Sequence, residues 1–333
     1  MTPGGRPRAS WSTIVPTLLT STLLTSTLLA VAPIQAVDGA EPTTTEEPSF
    51  RLVVLGVGQD AGVPQAGSTD HPGWDDASLR RFATSLAVFD GEGRRWLFEA
   101  TPDFKYQLAA LDRIAPRPPG SATPVLAGVF LTHAHIGHYT GLMMLGHESM
   151  GAQRVPVHAM PRMAEFLRTN GPWSQLVRYE NIVLHEMAAD RAVVLDGGLT
   201  VTPFLVPHRQ EFSEVVGYRI TGPAKTVLFI PDIDRWEDWD QDLATVLAGV
   251  DVAYVDATFY ANGEIPGRDM SGFPHPFITT TMDRLQHLDA DERAKVRFIH
   301  LNHTNPALYE GPERAEILRR GFRVAEEGEL LDL

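Results

Sequence analysis

The sequence predicts an α+β fold in which two β-sheets pack face to face and helices cover their outer surfaces, a four-layer αββα sandwich. Two observations lead to this prediction. Strands come first as meanders and then alternate with helices, and this order recurs in both halves of the chain. In addition, several apolar runs end in side chains that bind metals, among them His133, His208 and Asp232. Strand ends that share one edge would bring such groups together.

The elements follow from apolar periodicity and from Gly and Pro punctuation. Short apolar runs predict strands at Arg51–Val57, Ser85–Phe89, Arg95–Glu99, Val125–Leu131, Val155–His158, Leu199–Val206, Val215–Ile220, Lys225–Ile230, Val252–Asp256 and Val296–Leu301. Helical periodicity predicts helices at Pro102–Ile114, Thr140–Met150, Pro161–Asn170, Trp239–Leu247, Ile278–Leu288 and Pro312–Arg320.

Three regions divide the chain. Residues 1–36 combine a basic start, an apolar Thr-rich run and small residues, which is typical of a signal peptide. The apolar run is nearly long enough to span a membrane, so the alternative is an uncleaved membrane anchor. The Thr, Ser and Pro residues of the run favour a cleaved signal peptide. Residues 37–49 are acidic and Thr-rich and indicate a disordered linker. Residues 50–333 form the folded domain, and we expect a periplasmic or secreted protein without stable membrane insertion.

Charge and cysteine content exclude some functions. The net charge is −14, which argues against a nucleic-acid-binding surface because that needs a basic patch. The chain has no Cys, so neither disulfides nor thiolate metal ligands are possible. We expect a small-molecule substrate and consider a homodimer possible.

The segment Thr132–His138 is the most informative motif. Its three histidines, His133, His135 and His138, directly follow an apolar strand. Imidazole is the commonest metal ligand, so this spacing predicts a catalytic metal site, whereas the alternative is a polar surface loop.

These histidines, followed by His208, Asp232 and His303, resemble the metallo-β-lactamase superfamily in order and spacing. The resemblance implies two metal ions that share a hydroxide: His133, His135 and His208 would hold the first ion, His138 and His303 the second, and Asp232 would bridge both. Zinc suits this ligand set, whereas iron or manganese is chemically possible.

Gly137 departs from the superfamily pattern, which has Asp at this place. The second site then lacks a carboxylate. Asp60, in the loop after the first strand, is a possible replacement ligand; otherwise a water fills the place or only one metal binds tightly.

Two further segments resemble particular branches. The run Asp256-Ala257-Thr258 followed by His275 is similar to a segment of the RNase Z branch, in which a carboxylate orients a proton-donating histidine. By this resemblance Asp256 orients His275 as the catalytic acid; alternatively, Asp256 caps a loop and His275 lies at the surface. His300 is expected in the core or behind the ligands.

The segments Gly56–Gln65, Thr132–Leu142, Ile230–Asp232 and Ile299–Pro306 resemble the PqqB family, the coenzyme PQQ synthesis proteins B. That family has the metallo-β-lactamase fold. The resulting expectation is a metal-dependent hydrolase that uses a metal-bound hydroxide on an ester, lactone, amide or phosphodiester. The alternatives are an iron-dependent oxygenase of PqqB type and a non-catalytic metal-binding protein.

Overall fold

The computed structural model describes residues 49–117 and 124–333. The predicted signal peptide and residues 37–48 of the predicted linker lie outside the described residues. Within the described part of the chain, no helix combines the length and the apolar content needed to cross a bilayer.

Two seven-stranded sheets form the centre of the molecule. The first sheet contains β1 (Phe50–Gly56), β2 (Ser85–Asp90), β3 (Arg95–Phe98), β4 (Gly128–Phe130), β5 (Val155–Ala159), β6 (Ile182–Glu186) and β14 (Leu330–Asp332). The second sheet contains β7 (Val193–Val194), β8 (Thr200–Leu205), β9 (Val216–Thr221), β10 (Thr226–Ile230), β11 (Val252–Asp256), β12 (Val296–Ile299) and β13 (Arg323–Val324).

Each sheet combines an antiparallel meander with a parallel part. The first sheet has the order β14-β1-β2-β3-β4-β5-β6 and the second β13-β12-β11-β10-β9-β8-β7. Pairing is antiparallel from β14 to β3 and from β7 to β10, and parallel from β3 to β6 and from β10 to β13. The parallel parts need crossover connections, which the helices supply. These helices are α1 (Phe104–Ile114), α2 (Ile136–Tyr139), α3 (Pro161–Thr169), α4 (Trp173–Arg178), α5 (Leu243–Leu247), α6 (Ile278–Arg284), α7 (Ala290–Ala294) and α8 (Pro312–Arg319).

Alternation along the strands explains the layers. In β1, Leu52 and Val54 belong to the core cluster that also contains Phe229 of the second sheet. The intervening Val53 belongs to a second cluster with Leu111 of α1. Successive side chains of a strand point to opposite faces, so one face packs against the other sheet and the other face against helices. The predicted αββα sandwich is confirmed.

Three predicted helices are shorter than expected. The helix predicted at Ile278–Leu288 ends at Arg284. Instead of a helix at Thr140–Met150, the structure has a 3-10 segment at Thr140–Leu145. Gly141 packs closely on the residues after β3, because a Cβ there would stand 2.1 Å from the carbonyl oxygen of Thr101. Its amide donates to the carbonyl of Ala100 at 2.8 Å, a contact outside the helix. Helix α5 begins only after Asp242, whose side chain accepts a hydrogen bond from the Thr245 amide as an N-cap. The strands β6, β7, β13 and β14 were not predicted, because two to five residues of mixed polarity carry little periodic signal.

Candidate metal centre

The candidate site lies where strands of both sheets end in the same direction. Through antiparallel pairing with β2, β1 runs parallel to β3 and β4, and β8 likewise runs parallel to β10, β11 and β12. The two sheets meet at this edge, because Gly58 after β1 bridges to Leu301 after β12 and to Ala83. The residues that follow these strands are therefore brought together from distant parts of the chain.

Four predicted ligands form one compact group. One ligand atom from each of His133, His135, His208 and Asp232 lies within 4.8 Å of the others. Nε2 of His133 is 2.8 Å from Nδ1 of His135, and the carboxylate of Asp232 lies 3.4 Å from Nε2 of His133 and 3.3 Å from Nε2 of His208. This is the residue set that the sequence predicted for the first metal.

A second group adjoins the first. It consists of Asp60, His138 and His300, and Nε2 of His138 lies 3.4 Å from Oδ2 of Asp232 and 3.9 Å from Oδ1 of Asp60. Asp232 thus stands between the two groups, as expected for a bridging carboxylate. Asp60, which we predicted as a possible additional ligand, is brought to this place by the loop after β1.

The structure departs from the sequence expectation at the last histidine. His303, predicted as a ligand, belongs to none of the clustered groups found among the described residues, and His300 stands there instead. Strand alternation extended through residue 300 predicts that His300 lies in the core or behind the ligands. β12 ends at Ile299, however, and His300 has a left-handed backbone with φ 66°, which breaks that alternation. His303 lies in the turn that the Asn305 amide closes on the Asn302 carbonyl.

Unpaired buried atoms show that this donor set fits a cation. His138 Nε2, His208 Nε2, His300 Nε2 and Asp232 Oδ1 are buried and have no hydrogen-bond partner. Leaving a buried polar atom unsatisfied costs about 1–3 kcal/mol, so four of them facing one another would be costly in a protein without a ligand. Imidazole and carboxylate donors at these separations are what zinc and similar divalent ions bind. The residues present therefore fit a metal.

The protonation states agree with metal binding. Burial lowers the pKa of His133 well below its usual value, and burial also lowers the pKa of His135 and His300. Burial by itself would raise the pKa of Asp232, but the surrounding imidazoles, His208 first, bring it well below its usual value. Neutral imidazoles and an ionised carboxylate are the forms that coordinate metals.

His138 shows the opposite tendency. Burial disfavours its charged form, yet Glu99 and Asp232 raise its pKa to about 10. The carboxylates around His138 thus attract positive charge to this point, and a divalent cation supplies that charge without a proton.

Four of the five candidate ligand histidines are oriented through their other ring nitrogen. Nδ1 of His208 lies 2.7 Å from Oδ1 of Asp234, and Nε2 of His135 lies 3.1 Å from Oε2 of Glu211. His133 and His300 have similar neighbours, Thr132 Oγ1 at 2.9 Å and Thr258 Oγ1 at 3.0 Å. Such partners fix the tautomer and direction of a ligand imidazole. Nδ1 of His138 makes no hydrogen bond, although Glu99 Oε1 lies 3.6 Å away. Sequence reasoning assigned this role to none of these neighbours. Thr132 and Thr258 lie within predicted motifs and Asp234 adjoins Asp232, so these three had a signal, whereas Glu99 and Glu211 had none.

Asp256 and His275 form a buried pair beside the ligands. Oδ2 of Asp256, at the end of β11, lies 2.8 Å from Nδ1 of His275 and accepts the Ile233 amide at 3.0 Å. Burial lowers the pKa of His275, but Asp256 and Asp232 outweigh it and raise the pKa to about 9. The structure thus brings together the pair that the sequence singled out, although both residues also lie near enough to Asp232 and His300 to belong to a third possible ligand group.

An open cavity of about 240 Å³ gives access to this centre. His135, His208, Asp232 and His275 line its floor, together with Asp60. A larger cavity of about 610 Å³ elsewhere is lined partly by Arg81, Glu310 and Arg314 and by none of the clustered metal-ligand groups. The smaller cavity is therefore the candidate active site.

The fold and the clustered His and Asp side chains define a metallo-β-lactamase-fold protein with a candidate metal centre. A family model for the beta-lactamase superfamily domain matches residues 94–323, and the chain belongs to this superfamily. Our identification of the superfamily from the histidine pattern is confirmed.

Within the superfamily the chain is homologous to PqqB proteins, as predicted. It is 30% identical over 314 residues to coenzyme PQQ synthesis protein B of Gluconacetobacter diazotrophicus, covering 83% of this chain and 97% of that protein. The crystal structure of Zn(2+)-bound PqqB from Methylobacterium extorquens matches with a TM-score of 0.71 and 25% identity, covering 85% of this chain and all of that chain. A diphosphatase of the PhnP family, with a TM-score of 0.61 and 22% identity, covers 86% of this chain and 97% of its own and shares the fold.

Proposed function

We propose that this protein is a metal-dependent hydrolase of small-molecule esters, lactones, amides or phosphodiesters. One observation carries the proposal: His133, His135, His208 and Asp232 converge within 4.8 Å at the floor of an open cavity, with the Asp256–His275 pair beside them. This arrangement combines a site for a Lewis acid with a proton donor, which are the two elements that hydrolysis at neutral pH requires.

We propose zinc as the metal, because the ligands are imidazoles with one carboxylate and because a related PqqB is described as zinc-bound. His133, His135 and His208 would hold it, with Asp232 on the side of His138. A divalent ion at this place lowers the pKa of a coordinated water and polarises the bond under attack.

The role proposed for His275 follows from its hydrogen bonds. Asp256 accepts at Nδ1, so the imidazole is fixed in orientation and Nε2 remains for exchange with a substrate. Since His275 lines the cavity, it is placed to give a proton to the leaving group, and Asp256 stabilises the charge on the ring before the transfer. Asp256 acts through His275 and is a positioning residue.

The cavity favours a small substrate with an apolar part. Two large apolar side chains at its rim are exposed, Ile136 at 67% and Phe212 at 58%. Arg209 is the basic side chain lining the cavity, and its Nη1 lies 3.3 Å from Glu211 at the surface. An apolar group packed on Ile136 and Phe212, with a polar scissile bond over the ligands, fits this lining.

The test is metal analysis followed by a substrate panel. Protein purified from its native compartment is expected to contain zinc and, when fully metallated, to hydrolyse at least one generic ester, lactone or phosphodiester. Fully metallated protein without turnover on any of them would contradict the hydrolase and favour a non-catalytic metal-binding protein.

The second candidate is an iron-dependent oxygenase, because imidazole and carboxylate ligands at a site open to the cavity also suit non-haem iron. Purified protein would then contain iron and consume oxygen in the presence of a substrate. Iron content together with oxygen uptake, and no hydrolysis, would decide for this alternative.

We also propose that the protein is exported, because residues 1–36 have the composition of a signal peptide. A mature protein that begins near residue 37 in a periplasmic or secreted fraction is expected. Full-length protein confined to the cytoplasm would contradict export.

A further inference from the structure

Residue 137 is glycine for a steric reason. A Cβ built on Gly137 would lie 2.5 Å from Cα of Asp60, 2.7 Å from its Oδ1 and 3.0 Å from its carbonyl oxygen. Two of these three atoms belong to the backbone, so a change of side-chain rotamer does not relieve the overlap. The backbone of residue 60 thus occupies the space that any side chain at position 137 would need.

The loop that carries Asp60 is anchored on both sides. The Gly58 amide donates to Phe82 at 2.8 Å, and the Gln59 amide donates to Leu301 at 2.8 Å. The Gly62 amide then closes the turn on the Gln59 carbonyl at 2.9 Å. Asp60 itself has a left-handed backbone with φ 46°, a conformation that Asp and Asn tolerate better than most residues. The position of Asp60 is therefore set by backbone pairing to both sheets.

The carboxylate of Asp60 is placed where the superfamily motif would place its own. Its Oδ1 lies 2.7 Å from the place of the absent Cβ of residue 137 and 3.9 Å from Nε2 of His138. His138 and His300 each direct a buried, unpaired Nε2 into this group. Two imidazoles and one carboxylate, with Asp232 adjoining, make a complete donor set for a divalent cation.

We infer that Asp60 has taken over the role of the missing motif carboxylate, so that Asp60, His138 and His300 hold a second divalent cation and share Asp232 with the first. Gly137 and Asp60 then depend on each other, because the loop can bring the Asp60 carboxylate to this place only if residue 137 has no side chain. The inference rests on the metal centre of the proposed function, but it does not depend on hydrolysis.

The test compares two variants that act in different ways. Asp60→Asn keeps the size and the backbone preference of the residue and removes the ligand charge. Gly137→Ala removes no ligand but displaces the loop. Gly91→Ala is the matched control, since a Cβ there meets nothing within 4 Å. Each full-length mature protein is stripped of metal and titrated with ZnCl₂ by calorimetry, and then with Co²⁺ while the visible absorption is followed.

The wild type and Gly91→Ala are expected to bind two ions per chain. Asp60→Asn and Gly137→Ala should keep the first ion and weaken the second by about 100-fold, with loss of the second Co²⁺ absorption step. Binding of a single ion by the wild type, or two ions with unchanged affinity in Asp60→Asn, would overturn the inference. Two tight ions in Gly137→Ala would overturn the steric part.

Circular dichroism of each variant checks that it is folded, so that weaker metal binding is not a consequence of unfolding. Should Gly137→Ala not fold, Asp60→Asn decides, since it introduces no overlap. A protein that binds two ions as described and hydrolyses nothing would contradict the proposed function while leaving this inference standing.

Discussion

Replacement of Asp256 by Asn tests whether the Asp256–His275 pair is catalytic machinery. Asp256 is fully buried, and its carboxylate has four partners: the Ile233 amide at 3.0 Å, the Thr258 amide at 2.9 Å, the Thr258 hydroxyl at 2.8 Å and Nδ1 of His275 at 2.8 Å. Asparagine keeps the shape but turns one acceptor into a donor. In either orientation its NH₂ group faces a backbone N–H.

The magnitude follows from those partners. One buried backbone N–H without an acceptor costs about 1–3 kcal/mol, so Asp256→Asn should lower the free energy of unfolding by about that amount. His275 also loses a charge-assisted hydrogen bond of about 1.5–3 kcal/mol, which corresponds to a loss in kcat of about 10- to 100-fold. His275→Gln removes the proton donor itself, so kcat should fall by about 10²–10⁴-fold while stability changes less.

The assay combines three measurements on the wild type, both variants and the control His287→Gln, whose ring is exposed and belongs to none of the clustered ligand groups. These are kcat with the best substrate of the panel, thermal unfolding and zinc content. Unchanged kcat in His275→Gln would refute the proposed proton transfer. If His275→Gln lost zinc and activity to the same extent, the proton-donor role would also be refuted, because His275 would then be a metal ligand.

Three further predictions concern the ligands and stability. His135→Ala should lose the first ion and retain the fold; full zinc content by elemental analysis would contradict the assignment. His300→Ala should weaken zinc binding, whereas His303→Ala should not, and the reverse result in the same titration would restore the ligand set expected from sequence. Burial and the nearby His185 lower the pKa of His158 to about 4, against about 6.5 in an unfolded chain. Below pH 6.5 the unfolded chain binds a proton at His158, whereas the folded protein does not. The free energy of unfolding should therefore fall by about 3 kcal/mol as the pH is lowered to 4, and by about 2 kcal/mol at pH 5. Urea unfolding at pH 6.5 and at pH 5 should show this loss in the wild type but not in His158→Phe. An equal pH dependence of the two proteins would contradict the attribution of the loss to His158.

Local order in the chain was enough for much of the fold. A continuous apolar run such as Val252–Asp256 is visible from the residues of the segment alone, and runs of this kind predicted the central strands. Edge strands such as β7 (Val193–Val194) were missed because pairing with a neighbour, not an internal pattern, makes them strands.

The candidate site divides in the same way. The motif from His133 to His138 predicts a metal centre because its three histidines lie close together in the sequence. His300 was expected in the core or behind the ligands because strand alternation was extended one residue past the end of β12. The left-handed backbone turns the chain there and brings the buried His300 into a candidate ligand group. Glu99 and Glu211 gave no signal, since each lies far along the chain from the histidine that it contacts.

By itself, the sequence determined the superfamily, the two-layered sheet core and most of the histidines at the strand ends, since strand patterns and motif spacing are properties of short segments. Only the tertiary structure decided that His300 rather than His303 stands beside His138, and that Gly137 leaves room for Asp60. The position of His300 depends on its backbone angles. The fit of Asp60 beside Gly137 depends on the close approach of two loops that are far apart along the chain. Contacts of this kind arise only when the strands pair and the two sheets pack, so no local pattern in the sequence predicts them.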